Sequence, residues 1–274
     1  MSSQAQAIGT GTPFATRVTR AKLRWAIDDT LTIVWRNLVK MKRMPQLVVF
    51  ATVQPVIFVL MFRYVFGGAI HTPGLSYVDY LMPGIFAQTV AFGSLQTGVG
   101  LAEDLRNGLI ERFRALPMAR SAVLAGRTIA DLIRNLFVII LMMVVGFAVG
   151  WRLHTNVIGL LAGVAVLLAF SFALTWTFAL VGLLTGDPET AQAASFPLLG
   201  PLVFASTAFV PLNTMPGWLQ AFAAHQPVSV TVDAVRALTA GGPTTSHVLT
   251  SLAWSIGIVV VFAPLAVRRY RMTA

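Results

Sequence analysis

The chain has 274 residues, 56% hydrophobic and 11% charged, with a mean hydropathy of +0.76, values that belong to polytopic membrane proteins because no soluble core needs so much apolar surface. A formal net charge of +10 would point to nucleic acid in a soluble protein, but here the basic residues flank apolar stretches and membrane orientation accounts for them. The absence of cysteine excludes disulfides, thiolate metal sites and cysteine nucleophiles together.

The expected fold is an all-α polytopic membrane protein with six transmembrane helices. An N-terminal interfacial amphipathic helix precedes them, a cytoplasmic helix joins spans two and three, and short re-entrant outer helices lie between spans five and six. Residues 1–13 are small and polar and read as a disordered tail. Residues 14–45 carry Ile27, Leu31, Val34, Leu38 and Met41 at helical spacing, with Arg24, Asp28, Arg36, Lys40 and Arg43 mostly elsewhere, the pattern of a basic helix lying in the interface. No apolar run with a small-residue cleavage site occurs there, so the first span is expected to serve as the insertion signal.

The six-span region covers 46–267. Span one, 46–66, holds Gln54-Pro55, which predicts a kink, and Arg63 near its end. Span two, 80–102, carries Gln88 and Gln96 with Gly84, Gly93, Gly98 and Gly100, a small and weakly polar side suited to protein or a cavity. A charged island follows from Glu103 to Pro117. Mixed charge with apolar residues in so short an element makes a docking surface for a soluble partner that supplies energy.

Span three, 121–151, must include charged first turns, because 136–150 is too short to cross alone. Arg127, Asp131 and Arg134 stack on one face, where the aspartate can pair with either arginine; topology and charge compensation explain this stripe better than substrate contact. Span four, 157–184, is uncharged, and span five, 191–210, contains Pro197, Gly200 and Pro201, so it should bend beside protein or a cavity. The stretch from 211 to 242 is broken by Pro211, Pro216, Pro227, Asp233 and Arg236 and reads as short helices dipping into the membrane surface, with Trp218 and Phe222 as outer anchors. Span six, 247–267, leads into the tail 268–274. Of the 20 Lys and Arg residues, 17 fall on the side of the termini and the island, which places both in the cytoplasm.

Energy coupling within the chain finds no machinery. The lysines Lys22, Lys40 and Lys42 are followed by Leu23, Met41 and Arg43, so no phosphate-binding P-loop exists. No ionisable group is expected at mid-depth, since Arg63 and Asp131 sit near span ends. His71, His154, His225 and His247 fall on outer loops or boundaries without metal-ligand spacing, and Asp28-Asp29 suits a helix cap. No catalytic residue, metal site or bound cofactor is expected, and the chain is not itself an enzyme. Phe86, Gln88, Phe92, Gln96, Phe196, Phe204 and Phe209 are candidates to line an amphipathic substrate path, although helix packing also explains each of them.

Gly108, Glu111, Arg112 and Pro117, then Gly126-Arg127 and Asp131, resemble the cytoplasmic signature of ABC type-2 transporter permeases. The run from Val210 to Leu219, followed by His225-Gln226-Pro227-Val228-Ser229, is similar to the daunorubicin-resistance (DrrB/DrrC-like) branch of that family. Phe113 stands where an aliphatic residue is more usual. The resemblance implies a permease subunit of an ATP-driven exporter in the cell (inner) membrane, moving hydrophobic or amphipathic substrates, drug or lipid, out of the cytoplasm or inner leaflet. It implies a second permease copy or related permease, and two cytoplasmic P-loop ATPase subunits that bind the ATP and Mg. Coupling residues would be Arg106, Gly108, Glu111, Arg112, Phe113, Arg114, Leu116 and Pro117, with Phe113 and Leu116 entering an apolar groove and the charges pairing around it. The alternative is a non-transporting membrane scaffold that docks a cytoplasmic partner.

Overall fold

A computed structural model describes residues 30–37, 39, 45–70, 72, 74–109 and 120–273, and every regular element among them is helical. In chain order these are α1 (Pro45–Leu60), which widens into a π-helical stretch over Met61–Phe66, α2 (Tyr77–Arg106), α3 (Arg120–Val149), α4 (Val157–Thr185) and α5 (Pro188–Phe204). A short 3-10 turn, Leu212–Thr214, precedes α6 (Gly217–His225), α7 (Pro227–Ala240) and α8 (Thr244–Thr273). The segment 30–37 is also helical.

Local chemistry sets these boundaries. Ser76 opens α2 by accepting the Asp79 N–H, Asn156 opens α4 by accepting the Gly159 N–H, and Asp187 opens α5 ahead of Pro188. α4 stops where Gly186 takes a left-handed φ of 69°, which lets the chain reverse at once into the Asp187 cap.

Leu124–Val149, Val157–Thr185 and Thr244–Met272 are long and apolar enough to cross a membrane. α2 is as long as these but carries Asp79, Glu103, Asp104 and Arg106 near its ends and is the most buried helix, packed against α3, α4, α5 and α7. Its closest neighbour is α4. A methyl on Gly182 would meet the Gly98 backbone and one on Gly98 the Phe178 backbone, so the two helices cross nearly backbone to backbone. Small residues remove the side chains that would hold the axes apart, and further along the same two helices Leu81, Ile85, Val166 and Phe170 belong to the buried core.

Three expectations change. In the segment 30–37 the buried face is Ile33 and Val34, while Leu31 is 58% exposed, so the helix is rotated from the face that spacing suggested. Packing on α3 decides this: a methyl at Gly126 would sit 2.7 Å from Ile33 and 2.9 Å from the Thr30 carbonyl. α5 continues through Pro197 and Pro201 but ends at Phe204, and the chain then turns through 205–211 instead of remaining helical to 210. α7 is not a surface helix: Val228, Val232, Val235 and six more of its residues are buried, and the helix packs against α2, α4 and α8.

Candidate coupling site

At the Arg106 end of the bundle, the flanks of the charged island are fastened to three helices. Arg127 of α3 donates to Asp104 Oδ2 of α2 at 2.6 Å and to the Gly100 carbonyl at 2.9 Å. A methyl on Gly100 would overlap the guanidinium, so glycine is what lets the arginine lie on the α2 backbone. Asp131 accepts from Thr97 and pairs with Arg134 at 3.1 Å, while Arg127 Nε stands 4.0 Å away. Arg134 also donates to the Gly93 carbonyl, and Arg36 of the N-terminal segment reaches within 3.9 Å of Asp104.

Asp104 and Asp131 are 6% and 7% exposed. Burial of two carboxylates is costly unless each is matched by charge and hydrogen bonds, and this network supplies both. Deeper in the same interface Asn135 donates to Ser171 at 2.6 Å, and Ser94 donates to the Ser171 carbonyl at 3.1 Å, which joins α2, α3 and α4 by polar contacts. Arg134 is further inside than an end-of-span position: it lies near the middle of the apolar segment Leu124–Val149.

Arg106, at the last turn of α2, reaches the α4–α5 turn, donating to Glu189 at 2.7 Å and Asp187 at 3.2 Å. All three are exposed or partly so, and a pair of this kind guides geometry more than it stabilises. The Thr190 backbone N–H, then its hydroxyl, hold the Asp187 carboxyl below the ordinary carboxylate range, with Arg106 adding to the effect. Gly108 follows with φ 64°, turning the chain out of α2 into the island. Glu111, Arg112, Phe113, Arg114, Leu116 and Pro117 lie outside the described residues.

At the opposite end a second network fixes the hairpin formed by α6 and α7. The Arg236 guanidinium lies 3.7 Å over the Tyr80 ring, pairs with Asp233 at 2.6 Å, and donates to the carbonyls of Thr207 at 2.8 Å and Tyr80 at 3.2 Å. Tyr80 in turn donates to Thr207 and Val210 carbonyls at 3.0 Å each. Asp79 accepts from the Arg152 N–H at 2.8 Å and faces His154 Nε2 at 2.9 Å. Sequence reasoning singled out neither Asp104 nor Asp233 as ion-pair partners; their charge amid apolar sequence was the available signal.

The seven candidate path residues do not come together. Phe86 is 2% exposed and meets Trp151 edge-on at 5.4 Å, so it is core. Gln88 is buried with Oε1 unpaired among the described residues, and Gln96 is exposed. Phe92 and Phe196 form one pair at 6.2 Å. Phe204 and Phe209 stack at 6.0 Å in a separate cluster with Phe58 and Phe62. Trp218 is 76% exposed on α6, and Phe222, also exposed, borders an apolar groove with α4 and α8 residues.

Comparison with known proteins adds the context of these networks. Residues 28–239 match the family model described as ABC-2 type transporter. The chain is 36% identical to the daunorubicin resistance ABC transporter permease protein DrrB1 of Streptomyces coeruleorubidus, over 90% of this chain and 87% of that protein. It is 31% identical to the probable doxorubicin resistance ABC transporter permease protein DrrC of Mycobacterium tuberculosis, over 89% of each. With the putative transport permease ycf38 of Cyanophora paradoxa the identity is 26%, over 77% and 74%.

Proposed function

Because the chain belongs to the ABC-2 type transporter family, we propose that it is the permease subunit of an ATP-driven exporter that moves hydrophobic or amphipathic compounds outward. Its relatives are named as permeases of resistance to daunorubicin and doxorubicin, so polycyclic amphiphiles of that kind are the proposed cargo, and lipid the lesser candidate. In this reading α1 to α5 and α8 are the six crossings, both termini face the cytoplasm of a cell whose inner membrane holds the protein, and the α6–α7 hairpin enters from outside. Two P-loop ATPase subunits, which carry the ATP and Mg, dock on the island between α2 and α3, and a second permease completes the pore.

The observation that carries the proposal is the fastening of the island's two flanks. Asp104 is held by Arg127, and Arg106 by Asp187 and Glu189, so a push on the island passes to α2, α3 and the α4–α5 turn as one body. A docking loop tied only to its own helix would yield without moving the others. Arg127, Asp131 and Arg134 act here as the stiffening of that lever and not as cargo contacts.

The test uses the tagged chain extracted from its native membrane. A P-loop ATPase should copurify in near-equal amount, inside-out vesicles should accumulate daunorubicin only with ATP, and Arg114→Glu in the island should abolish both. A non-ATPase partner, or no ATP-dependent accumulation by intact protein, refutes export and leaves the scaffold role.

A further inference from the structure

Among the described residues, every aspartate but one has an arginine within ion-pair distance: Asp104 has Arg127 at 2.6 Å, Asp131 has Arg134 at 3.1 Å, Asp187 has Arg106 at 3.2 Å and Asp233 has Arg236 at 2.6 Å. The exception is Asp79. It is 4% exposed in the first turn of α2, and its cationic partner there is a histidine, His154, whose Nε2 stands 2.9 Å from Oδ2. Arg152 gives Asp79 its backbone N–H at 2.8 Å but turns its guanidinium to the Trp151 carbonyl at 3.3 Å. The Ser76 hydroxyl donates to Asp79 at 2.7 Å. Among these groups the buried carboxylate is matched by a full positive charge only when the imidazole carries two protons, and an unmatched buried charge is costly.

His154 sits in the loop 150–156 between α3 and α4 and reaches two helices at once. Its ring meets Asp79 of α2, and its backbone N–H donates to the Thr239 carbonyl of α7 at 3.0 Å, beside which the Thr155 hydroxyl donates to the Leu238 carbonyl at 2.6 Å. Buried Trp151, edge-on to Phe86, anchors the start of the loop, and Asn156 caps α4 at its end. The histidine side chain is 44% exposed, so protons in solution reach it. A carboxylate only accepts, so Nε2 donates to Asp79, and Nδ1 is the atom that gains a proton when the ring becomes charged. The other titratable and charged groups on the elements around the ring are engaged elsewhere. Asp233 and Arg236, the charged residues of α7, pair with each other, and the Tyr77 and Tyr80 hydroxyls of α2 donate to the carbonyls of Phe209, Thr207 and Val210. α4 and the part of α3 beyond Arg134 carry no titratable group.

We propose that His154 and Asp79 form a proton-operated latch: uptake of a proton at Nδ1 turns a hydrogen bond to a buried carboxylate into an ion pair and fastens α7 to α2 through the loop. The gain is Coulombic. A neutral ring offers the carboxylate a dipole and a charged ring a unit charge, with water at the half-exposed imidazole screening part of the attraction. Because the proton-bound form is the fastened one, the latch is at full strength below the range of about pH 5–8 in which histidine changes charge, and it weakens as pH rises through that range. An arginine in place of the histidine would hold at every pH, as the pairs of Asp104, Asp131 and Asp233 do, so the choice of imidazole is what makes this one contact conditional. The latch does not depend on the export reading; that reading adds that this end of the bundle faces outward, so external acidity closes it.

The experiment follows hydrogen exchange in the full chain in lipid nanodiscs, where both faces meet the buffer, at about pH 8 and about pH 5.5, on either side of most of the histidine range, with rates corrected for the intrinsic effect of pH. On acidification, protection of residues 150–156 and of the last turn of α7 should rise roughly 3- to 5-fold in the unaltered chain, while segments at the Arg106 end should not share the step. His154→Gln keeps an amide donor for Asp79 but cannot titrate, and Asp79→Asn keeps an acceptor for the Arg152 N–H but loses the charge; each should show equal protection at the two pH values. Absence of the step in the unaltered chain, its persistence in either variant, or a step of the same size at the Arg106 end overturns the latch. Circular dichroism shows whether each variant is folded, and where Asp79→Asn is not, His154→Gln decides alone. None of these readings uses transport, so the latch and the export reading stand or fall separately.

Discussion

Gly182→Ala tests the α2–α4 crossing on which the whole bundle rests. The added methyl would fall 2.8 Å from the Gly98 carbonyl carbon and 3.0 Å from its Cα, closer still to its oxygen, where ordinary contact begins at 3.4 Å. Both obstacles are backbone, so no rotamer change relieves them and the helices must separate by at least about 0.6 Å. A gap of that size forfeits a quarter to a half of the dispersion attraction between facing atoms, and overpacking of this kind costs about 1–3 kcal/mol. Alanine regains about 0.5–1 kcal/mol of helix propensity. Gly257→Ala on α8, where nothing lies within 4 Å, gains that propensity with no clash and serves as the control. The propensity gain is common to both variants, so they should differ by the overpacking cost of about 1–3 kcal/mol, with Gly182→Ala the less stable, read as a difference in melting temperature of several degrees in detergent-solubilised protein. Equal melting temperatures would refute the backbone-to-backbone crossing.

The buried charges give a second prediction. Arg127→Gln leaves Asp104 short of its closest charge and should cost about 3–5 kcal/mol, while Arg127→Gln with Asp104→Asn should recover most of the loss; denaturation of the single and double variants measures it, and an additive double variant would refute the pairing. The Asp187 cap gives a third. Its folded pKa is lowered, chiefly by the Thr190 N–H, so its contribution is complete above the ordinary carboxylate pKa of about 3.9 and is lost as pH falls through the lower folded value. Hydrogen exchange at the start of α5 should be independent of this group between about pH 5 and 8 and rise in Asp187→Ala throughout that window; no rise would show that the cap is idle.

The charge stripe was legible in sequence because Arg127, Asp131 and Arg134 share one helix face at fixed spacing; that spacing allows Asp131 to pair with either arginine, and the structure selects Arg134. Its partners on α2 were not, since Asp104, Thr97 and the Gly93 and Gly100 carbonyls come from a helix whose rotation only packing sets. The same limit explains the candidate path. Phe92 and Phe196 meet, but Phe86 turns into the core and Phe204 joins Phe209, because an aromatic residue in an all-apolar helix carries no mark of which side faces protein.

Sequence by itself determined that the chain is helical and membrane-embedded and that none of its lysines sits in a phosphate-binding loop. Those properties depend on composition, local hydrogen bonding and backbone restriction, which act over a few residues. Only the tertiary structure decided that Gly98 and Gly182 are a crossing point and that α7 is interior. These depend on how helices of nearly uniform apolarity rotate and approach one another, and in such helices close packing and the matching of a few buried polar groups select the arrangement, with no amphipathic stripe to announce it.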